Sequence, residues 1–209
     1  MITLHHLNFS RSTRVLWLLE ELGMDYDLKV YARDQNFRAP ADLRLVHPLG
    51  KAPVLVDDGL VLAESGTILR YLEGKYGDGR LVPAAGTRDR AIHDEWLDYA
   101  ESSAGLPIML TLLGEMTGGL PPGLAGFTAP ELAKTLAFIS DRVSGRTYLM
   151  GDRLTLADIQ MSYLLTVLRG SGHLDAHPAI GAYVKRLEAT SGLTKAIEVG
   201  GPMAPPARG

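Results

Sequence analysis

The sequence predicts a small α/β domain with a mixed sheet, followed by an all-helical domain. Three observations support this fold class. Residues 2–30 follow the order strand, helix, strand, and residues 53–76 follow the order strand, strand, helix. From Ala85 onward, the apolar residues recur only with the helical period. The two halves therefore belong to different structural classes, and we expect them to form separate domains.

The first half of the α/β domain is predicted to be a βαβ unit. Residues 2–5 form a short apolar run that is typical of a strand. The next segment places four apolar residues on one helical face, namely Val15, Leu18, Leu19 and Leu22. Gly23 ends this helix, and residues 26–30 alternate between apolar and polar as a half-buried strand does. Because a helix crosses between the two strands, we expect them to be parallel.

The second half of this domain is predicted to be a ββα unit, after a short helix around residues 39–45. Apolar residues flank Asp57-Asp58-Gly59, and the Asp-Gly pair predicts a tight hairpin turn between antiparallel strands. A helix then runs from Ser65 to Tyr76, before the helix-breaking residues 77–79. The first domain is therefore assigned to residues 1–80.

The second domain is assigned to residues 86–200, after a linker rich in Gly and Pro at about residues 78–87. Its helices are predicted over residues 96–116, 129–143, 156–168, 179–187 and 193–199. Pro107 predicts a kink in the first of them, and residues 117–127, which contain many Gly and Pro, predict a mobile connection. Thr155 and Asp158 have the spacing of a capping box. Residues 201–209 are predicted to be a flexible tail.

The composition excludes several functional classes. The formal charge of −3 and pI near 6.1 show no basic excess, so neither a nucleic acid nor a membrane surface is indicated as a partner. No segment approaches the roughly 20 apolar residues that span a bilayer, and we expect a cytoplasmic protein. The chain contains no cysteine, so any thiol chemistry must use the thiol of a ligand. The histidines show no recognised metal-ligand spacing, and no metal is predicted.

Four segments carry a resemblance to a known family. They are residues 8–23 (NFSRSTRVLWLLEELG), 47–53 (HPLGKAP), 62–65 (LAES) and 154–158 (LTLAD). Together they resemble the cytosolic glutathione transferases over nearly the whole chain. With residues 33–40, they are most similar to a serine-type, bacterial or fungal branch, in which a serine or asparagine lies near the thiol. The resemblance implies a thioredoxin-like domain, an all-helical domain and a homodimer.

The resemblance also implies where glutathione, the co-substrate, binds. Ala52 precedes a proline, Pro53, that is cis in the family, and its backbone pairs with the cysteinyl part of the peptide. The resemblance implies that Ser65 binds the γ-glutamyl carboxylate of glutathione at a helix N-terminus, which suits an anion, and that Glu64 binds the amino group of the ligand. It also implies that Lys51 lies at the glycyl end of glutathione. Two further residues could also reach that end, namely Gln35 and Arg38.

A transferase must lower the thiol pKa of glutathione from about 8.5 by roughly two units to hold a thiolate at neutral pH. Ser10, four residues before Arg14, matches the catalytic serine position of the serine-type classes. Ser12 is the alternative, since loop lengths differ among relatives. From the residues alone, either serine could instead cap the helix. His5 or His6 as a base also stays open.

An apolar electrophile is implied as the second substrate. Its pocket is expected between the two domains, at Phe9, Tyr99, Leu106, Met109, Leu110 and Leu113. The implied function is conjugation of the glutathione thiolate to hydrophobic electrophiles, with glutathione peroxidase activity as a further use of the thiolate. Isomerisation or dehalogenation would use the same thiolate. The alternative is a non-catalytic glutathione-binding or protein-interaction module of the same fold.

Overall fold

The computed structural model describes residues 1–205 of the chain, which divide into two compact units. The first unit comprises Met1–Val82 together with Leu187–Pro205, and the second begins at Pro83 and contains the residues up to Arg186. The last helix of the chain therefore belongs with the sheet, although it follows the helical half in sequence.

The first unit contains a four-stranded mixed sheet. Its strands are β1 (Ile2–Leu7), β2 (Tyr26–Tyr31), β3 (Val54–Asp57) and β4 (Leu60–Ala63). The sheet order is β2-β1-β3-β4; β1 is parallel to β2, and the other two pairs are antiparallel. The predicted mixed sheet is confirmed. Asp58 and Gly59 have φ angles of 48° and 84°, so the Asp-Gly pair forms the predicted tight turn.

Helices of the first unit are α1 (Ser12–Leu22), α2 (Leu43–Val46), α3 (Ser65–Tyr76) and, at the end of the chain, α9 (Ser191–Gly200). Helix α1 is buried over most of its length because it packs against β1, α3 and α9. Helix α2 is shorter than predicted, since residues 39–42 form no helix.

Helix α9 packs closely on α1 because two of its residues are glycines. A Cβ atom at Gly192 would lie 2.9 Å from Cδ1 of Trp17, and one at Gly200 would lie 2.5 Å from Cδ2 of Leu16. Lys195 of α9 forms a 2.6 Å ion pair with Glu20 of α1. The predicted tail continues from this helix; residues 201–205 form no helix or strand, whereas residues 206–209 lie outside the described part of the chain.

The second unit contains the helices α4 (Arg88–Glu101), α5 (Gly105–Thr117), α6 (Pro122–Val143), α7 (Leu156–Gly170) and α8 (Pro178–Glu188). The prediction of one kinked helix over residues 96–116 is wrong, since α4 ends at Glu101 and α5 begins at Gly105. Pro107 lies in the first turn of α5, where a missing N–H costs no helical hydrogen bond. The connection predicted at residues 117–127 is also wrong, because α6 already begins at Pro122.

The start of α7 is a buried polar cluster around Asp158. Its carboxylate accepts 2.8 Å hydrogen bonds from the backbone N–H groups of Leu149 and Thr155 and from the Thr155 hydroxyl. This arrangement confirms the predicted capping box. Among the helices of residues 1–205, we find none with the length and apolar character that crossing a membrane requires.

Candidate functional site

Four chain segments meet at one edge of the sheet in the first unit. The parallel strands β1 and β2 both end there, with Leu7 opposite Tyr31. Strand β3 begins at the same edge, where Val54 lies opposite His5, and β4 ends there, with Ala63 opposite Val54. This edge, called the site edge below, therefore carries the residues after β1, after β2, before β3 and after β4.

The two serine candidates follow β1 at the site edge. Their Oγ atoms lie 2.7 Å apart, and both residues are buried, with exposed fractions of 6% for Ser10 and 0% for Ser12. The Oγ of Ser10 also accepts a 3.1 Å hydrogen bond from the backbone N–H of Ser12, the first residue of α1. Ser10 thus caps the helix start, and its hydroxyl proton is not used by that bond.

The hydroxyl of Ser12 forms hydrogen bonds with Leu7 and His6 of β1 as well as with Ser10. Its Oγ accepts a 3.1 Å hydrogen bond from the backbone N–H of Leu7 and lies 2.9 Å from Nδ1 of His6. The carbonyl oxygen of Leu7, 3.2 Å away, is a second acceptor for its proton. Ser12 therefore links β1 to α1 from inside the domain.

His6 continues this chain of hydrogen bonds. Its ring is fully buried, and Nε2 lies 2.9 Å from the carbonyl oxygen of Gly200, the last residue of α9. Burial lowers the pKa of His6, against the opposing effect of its hydrogen bonds to Gly200 and Ser12. Sequence reasoning left His6 as one of two possible bases. The alternation of β1 was the available signal, because it places residues 2, 4 and 6 on one buried face.

The loop between β1 and α1 is held by Arg33, which sequence reasoning did not select. Its guanidinium donates 2.9 Å hydrogen bonds to the carbonyl oxygens of Asn8 and Phe9, and a 2.8 Å bond to that of Phe37. Phe9 has a φ angle of 55°, which is rare for a residue with a side chain, and its ring stacks on that of Phe37. Arg33 therefore fixes the backbone immediately before Ser10.

The structure places Gln35 and Arg38 on the exposed loop after β2. This loop closes on itself, because Oδ1 of Asp34 accepts hydrogen bonds from the backbone N–H groups of Asn36 and Arg38 at 2.9 and 2.8 Å. Both residues follow a strand that ends at the site edge. Their predicted contact with the glycyl end of glutathione stays a prediction.

The Ala52–Pro53 peptide bond, immediately before β3, is cis, as the resemblance implies. Pro53 is buried, Ala52 is half-buried and Lys51 is exposed. All three residues therefore lie at the site edge, where β3 begins.

Glu64 and Ser65 follow β4 at the same edge. Glu64 is exposed and has a φ angle of 68°, and Ser65 is the first residue of α3, with an exposed fraction of 4%. Nη1 of the fully buried Arg14 donates a 3.1 Å hydrogen bond to Oγ of Ser65. Arg14 thus joins the start of α1 to the start of α3. The sequence analysis uses Arg14 only to define the position of Ser10. Arginine is mostly an exposed residue, so its burial here could not be expected from its type.

The residues predicted for the electrophile pocket are divided between the two units. Phe9 belongs to the first unit. Tyr99 lies on α4, where its ring meets those of Trp96 and Phe138 edge-on at 5.3 Å. The other four lie on α5, namely Leu106, Met109, Leu110 and Leu113. The pocket itself stays a prediction.

Comparison with known proteins identifies the family. Residues 1–74 match the domain described as Glutathione S-transferase, N-terminal domain, and residues 128–190 match the corresponding C-terminal domain. The chain belongs to the glutathione S-transferase family. It is 33% identical to Glutathione S-transferase 3 of Schizosaccharomyces pombe, over 78% of this chain and 72% of that protein. It is 30% identical to Glutathione S-transferase 1 of Saccharomyces cerevisiae, over 90% of each.

Solved structures of this family share the fold. A glutathione S-transferase from Actinobacillus pleuropneumoniae superposes with a TM-score of 0.89 and 34% identity, covering 97% of this chain and 95% of the other. A glutathione transferase from Phanerochaete chrysosporium, in complex with oxidized glutathione, gives a TM-score of 0.79 at 22% identity, over 95% of each chain. At this lower identity the likeness supports the fold alone. The predicted family and fold class are confirmed, and the serine-type branch stays a prediction.

Proposed function

We propose that this glutathione S-transferase family member binds reduced glutathione at the site edge and activates its thiol through the hydroxyl of Ser10. One observation carries the proposal. The candidate serine, the cis Pro53 and the Ser65 helix start follow or precede strands that all meet at the site edge. The segments that the family resemblance assigns to the thiol, the peptide backbone and the γ-glutamyl carboxylate are thus neighbours in one unit.

The hydrogen bonds favour Ser10 over Ser12 as the thiol-activating residue. Ser12 is fully buried and already engages Leu7 and His6. The Ser10 hydroxyl can turn its proton from Ser12 to a bound sulfur while keeping the N–H bond that it accepts. A hydrogen bond to a charged partner contributes about 1.5–3 kcal/mol, and the nearby N-terminus of α1 adds about 0.3–2 kcal/mol. These terms together match the roughly two pKa units that the thiol must lose.

The rest of the site suits the peptide. Ser65 presents a hydroxyl and a backbone N–H at the first turn of α3, where a carboxylate is favoured. The exposed side chains of Glu64 and Lys51 offer one acidic and one basic group for the amino group and a carboxylate. We assign the electrophile to the apolar residues predicted above and expect a cytoplasmic homodimer, as the family resemblance implies.

A pH titration of glutathione binding tests the proposal. The thiolate absorbance of bound glutathione is followed from pH 5 to 9 for the wild type, for Ser10→Ala and for Ser12→Ala, with S-methylglutathione as the blank. We expect a thiol pKa of about 6.5 in the wild type, since about two units are removed, and a rise of about one unit in Ser10→Ala. Binding with an unshifted pKa in the wild type would favour the non-catalytic binding module instead.

A further inference from the structure

We propose that Ser10, Ser12 and His6 form a proton relay, in which the proton of the glutathione thiol is taken up by Nδ1 of His6. This inference rests on the proposed function and adds the destination of the proton. Three short contacts define the relay: 2.7 Å from Ser10 Oγ to Ser12 Oγ, 2.9 Å from Ser12 Oγ to Nδ1, and 2.9 Å from Nε2 to the Gly200 carbonyl oxygen. All three side chains are buried.

The Gly200 carbonyl sets the tautomer of His6. A carbonyl oxygen only accepts hydrogen bonds, so Nε2 carries a proton. In the neutral ring, Nδ1 is then an acceptor, and the Ser12 hydroxyl donates to it. Ser12 Oγ in turn accepts from the Ser10 hydroxyl and from the backbone N–H of Leu7. Every donor and acceptor of the relay has a partner while the bound ligand is still a thiol.

A thiolate next to Ser10 reverses the direction of donation in the hydrogen bonds that join Ser10 to Ser12 and Ser12 to His6. The Ser10 proton then points at sulfur, and two hydroxyl oxygens 2.7 Å apart need another proton between them. That proton can only come from Ser12, which then requires a donor at Nδ1 of His6. The doubly protonated ring supplies this donor and keeps the Nε2 bond to Gly200. The relay therefore has a second fully satisfied arrangement, which differs from the first by one proton.

The transfer between these two arrangements is balanced. The S–H bond of glutathione breaks and its proton forms an O–H bond to Ser10. The former Ser10 proton moves to Ser12, and the former Ser12 proton forms an N–H bond at Nδ1 of His6. One S–H bond is exchanged for one N–H bond, and no electron is gained or lost.

The surroundings of His6 act on its charge in opposite directions, and a thiolate next to Ser10 would add a stabilising negative charge. Burial disfavours the imidazolium, whereas Gly200 lies at the C-terminal, electronegative end of α9. Charged groups on the adjacent elements pair with groups other than His6. These pairs are Arg14 with Ser65, Glu20 with Lys195, Glu21 with Trp17, Asp27 with Lys29, and Asp57 with Lys75. Glu198 of α9 is exposed. Within residues 1–205, the hydrogen bonds of His6 go to Ser12 and Gly200.

Counting protons and thiolates in the same experiment tests the relay. Glutathione is added to the protein in weak buffer at neutral pH, the thiolate is counted by its absorbance, and the released protons are counted with an indicator dye. S-methylglutathione, which has the same carboxylates and amine but no thiol, gives the proton change that is unrelated to sulfur. We expect the wild type to release less than about half a proton per thiolate, because His6 retains the rest.

The variant His6→Gln keeps an amide that can reach Gly200 but removes the acceptor for Ser12. We expect its bound thiol pKa to rise by about one unit and each thiolate to release one proton. His93→Gln, which replaces a buried histidine of the second unit, is the control for lost stability and should behave as the wild type does. If His6→Gln does not fold, His6→Asn is used in its place, and the proton count of the wild type still tests the relay.

The outcomes separate the two proposals. One proton released per thiolate in the wild type overturns the relay and leaves Ser10 activation intact. A wild type that binds glutathione without forming thiolate overturns both.

Discussion

The hydroxyl of Tyr183 donates a 2.7 Å hydrogen bond to the buried carboxylate of Asp158, the fourth hydrogen bond which that side chain accepts. Burial raises the pKa of Asp158, and the four hydrogen bonds oppose that effect. The Tyr183 pKa is raised by its own burial and by the neighbouring carboxylate. This pair ties α8 to the start of α7 in the core of the second unit.

We expect Asp158→Asn to lower the free energy of unfolding by about 3 kcal/mol, because an amide NH₂ group would face the donors of Thr155. Urea unfolding measures the change. Asp152→Asn, at an exposed position nearby, should change it by less than about 0.5 kcal/mol. Equal stability of the two variants would show that the buried hydrogen bonds of the Asp158 carboxylate do not stabilise the fold.

A second prediction concerns acid stability. Burial tends to raise the pKa of Asp57, but hydrogen bonds from Lys75, Tyr76 and Tyr71 outweigh it and lower the pKa to about 2. Because the folded pKa lies below the unfolded value of about 3.9, the stabilisation is complete above the unfolded pKa. It is lost as the pH falls from about 4 through 2.

The variant Asp57→Asn should therefore be less stable than the wild type by about 2 kcal/mol at pH 7, and the difference should shrink as the pH approaches 2. Urea unfolding across this range checks the expectation. Asp58→Asn, on the exposed hairpin turn, is the matched control because asparagine also tolerates its φ angle of 48°. A stability difference that does not change with pH would show that the charge of Asp57 is unimportant.

The contact between α9 and His6 gives a third prediction. A Cβ atom at position 200 would lie 2.5 Å from Leu16 and 3.1 Å from Nε2 of His6. We expect Gly200→Ala to push the end of α9 away from β1 and to raise the bound thiol pKa by about half a unit. Gly181→Ala is the control, since its Cβ would meet no atom within 4 Å. If both variants kept the wild-type thiol pKa, the end of α9 would have no influence on the site.

Arg33 gives a fourth prediction. Arg33→Lys keeps the charge but cannot make the three guanidinium hydrogen bonds to Asn8, Phe9 and Phe37. The backbone before Ser10 should become more mobile, and the Ser10 hydroxyl should be less well aligned with the thiol. We expect kcat for conjugation of glutathione to fall about tenfold, which corresponds to an increase of roughly 1.4 kcal/mol in the activation free energy. Arg153→Lys, at an exposed position, should leave kcat unchanged. An unaltered kcat in Arg33→Lys would show that the loop holds its shape without this side chain.

Much of the first unit could be predicted from local patterns. The βαβ and ββα order follows from alternation, from the Asp-Gly turn and from the four-residue helical face of α1. The break between α4 and α5 is hidden in the sequence because Ala100, Ala104 and Ile108 keep the helical spacing across it. Pro107 predicts a kink if the helix is continuous, but a proline in the first turn of a new helix gives the same sequence pattern.

The candidate site was predicted in part for a similar reason. The family resemblance selects Ser10, Pro53 and Ser65, whose roles stay predictions, whereas the contacts of Arg33 and His6 depend on the tertiary structure. Periodicity shows that α9 has an apolar face, but it does not show which element covers that face. The contact of Gly200 with His6 joins positions far apart in sequence, so it became visible only in the structure.

The packing of α9 on α1 also affects how the protein is made. Synthesis proceeds from the N-terminus, and domains generally fold as they emerge. The first unit cannot complete itself when the sheet emerges, because α9 follows all the helices of the second unit in the sequence. Until then, the face of α1 that contains Leu16 and Trp17 stays uncovered. Emergence of α9, rather than emergence of the sheet, is therefore the step after which His6 gains its carbonyl partner.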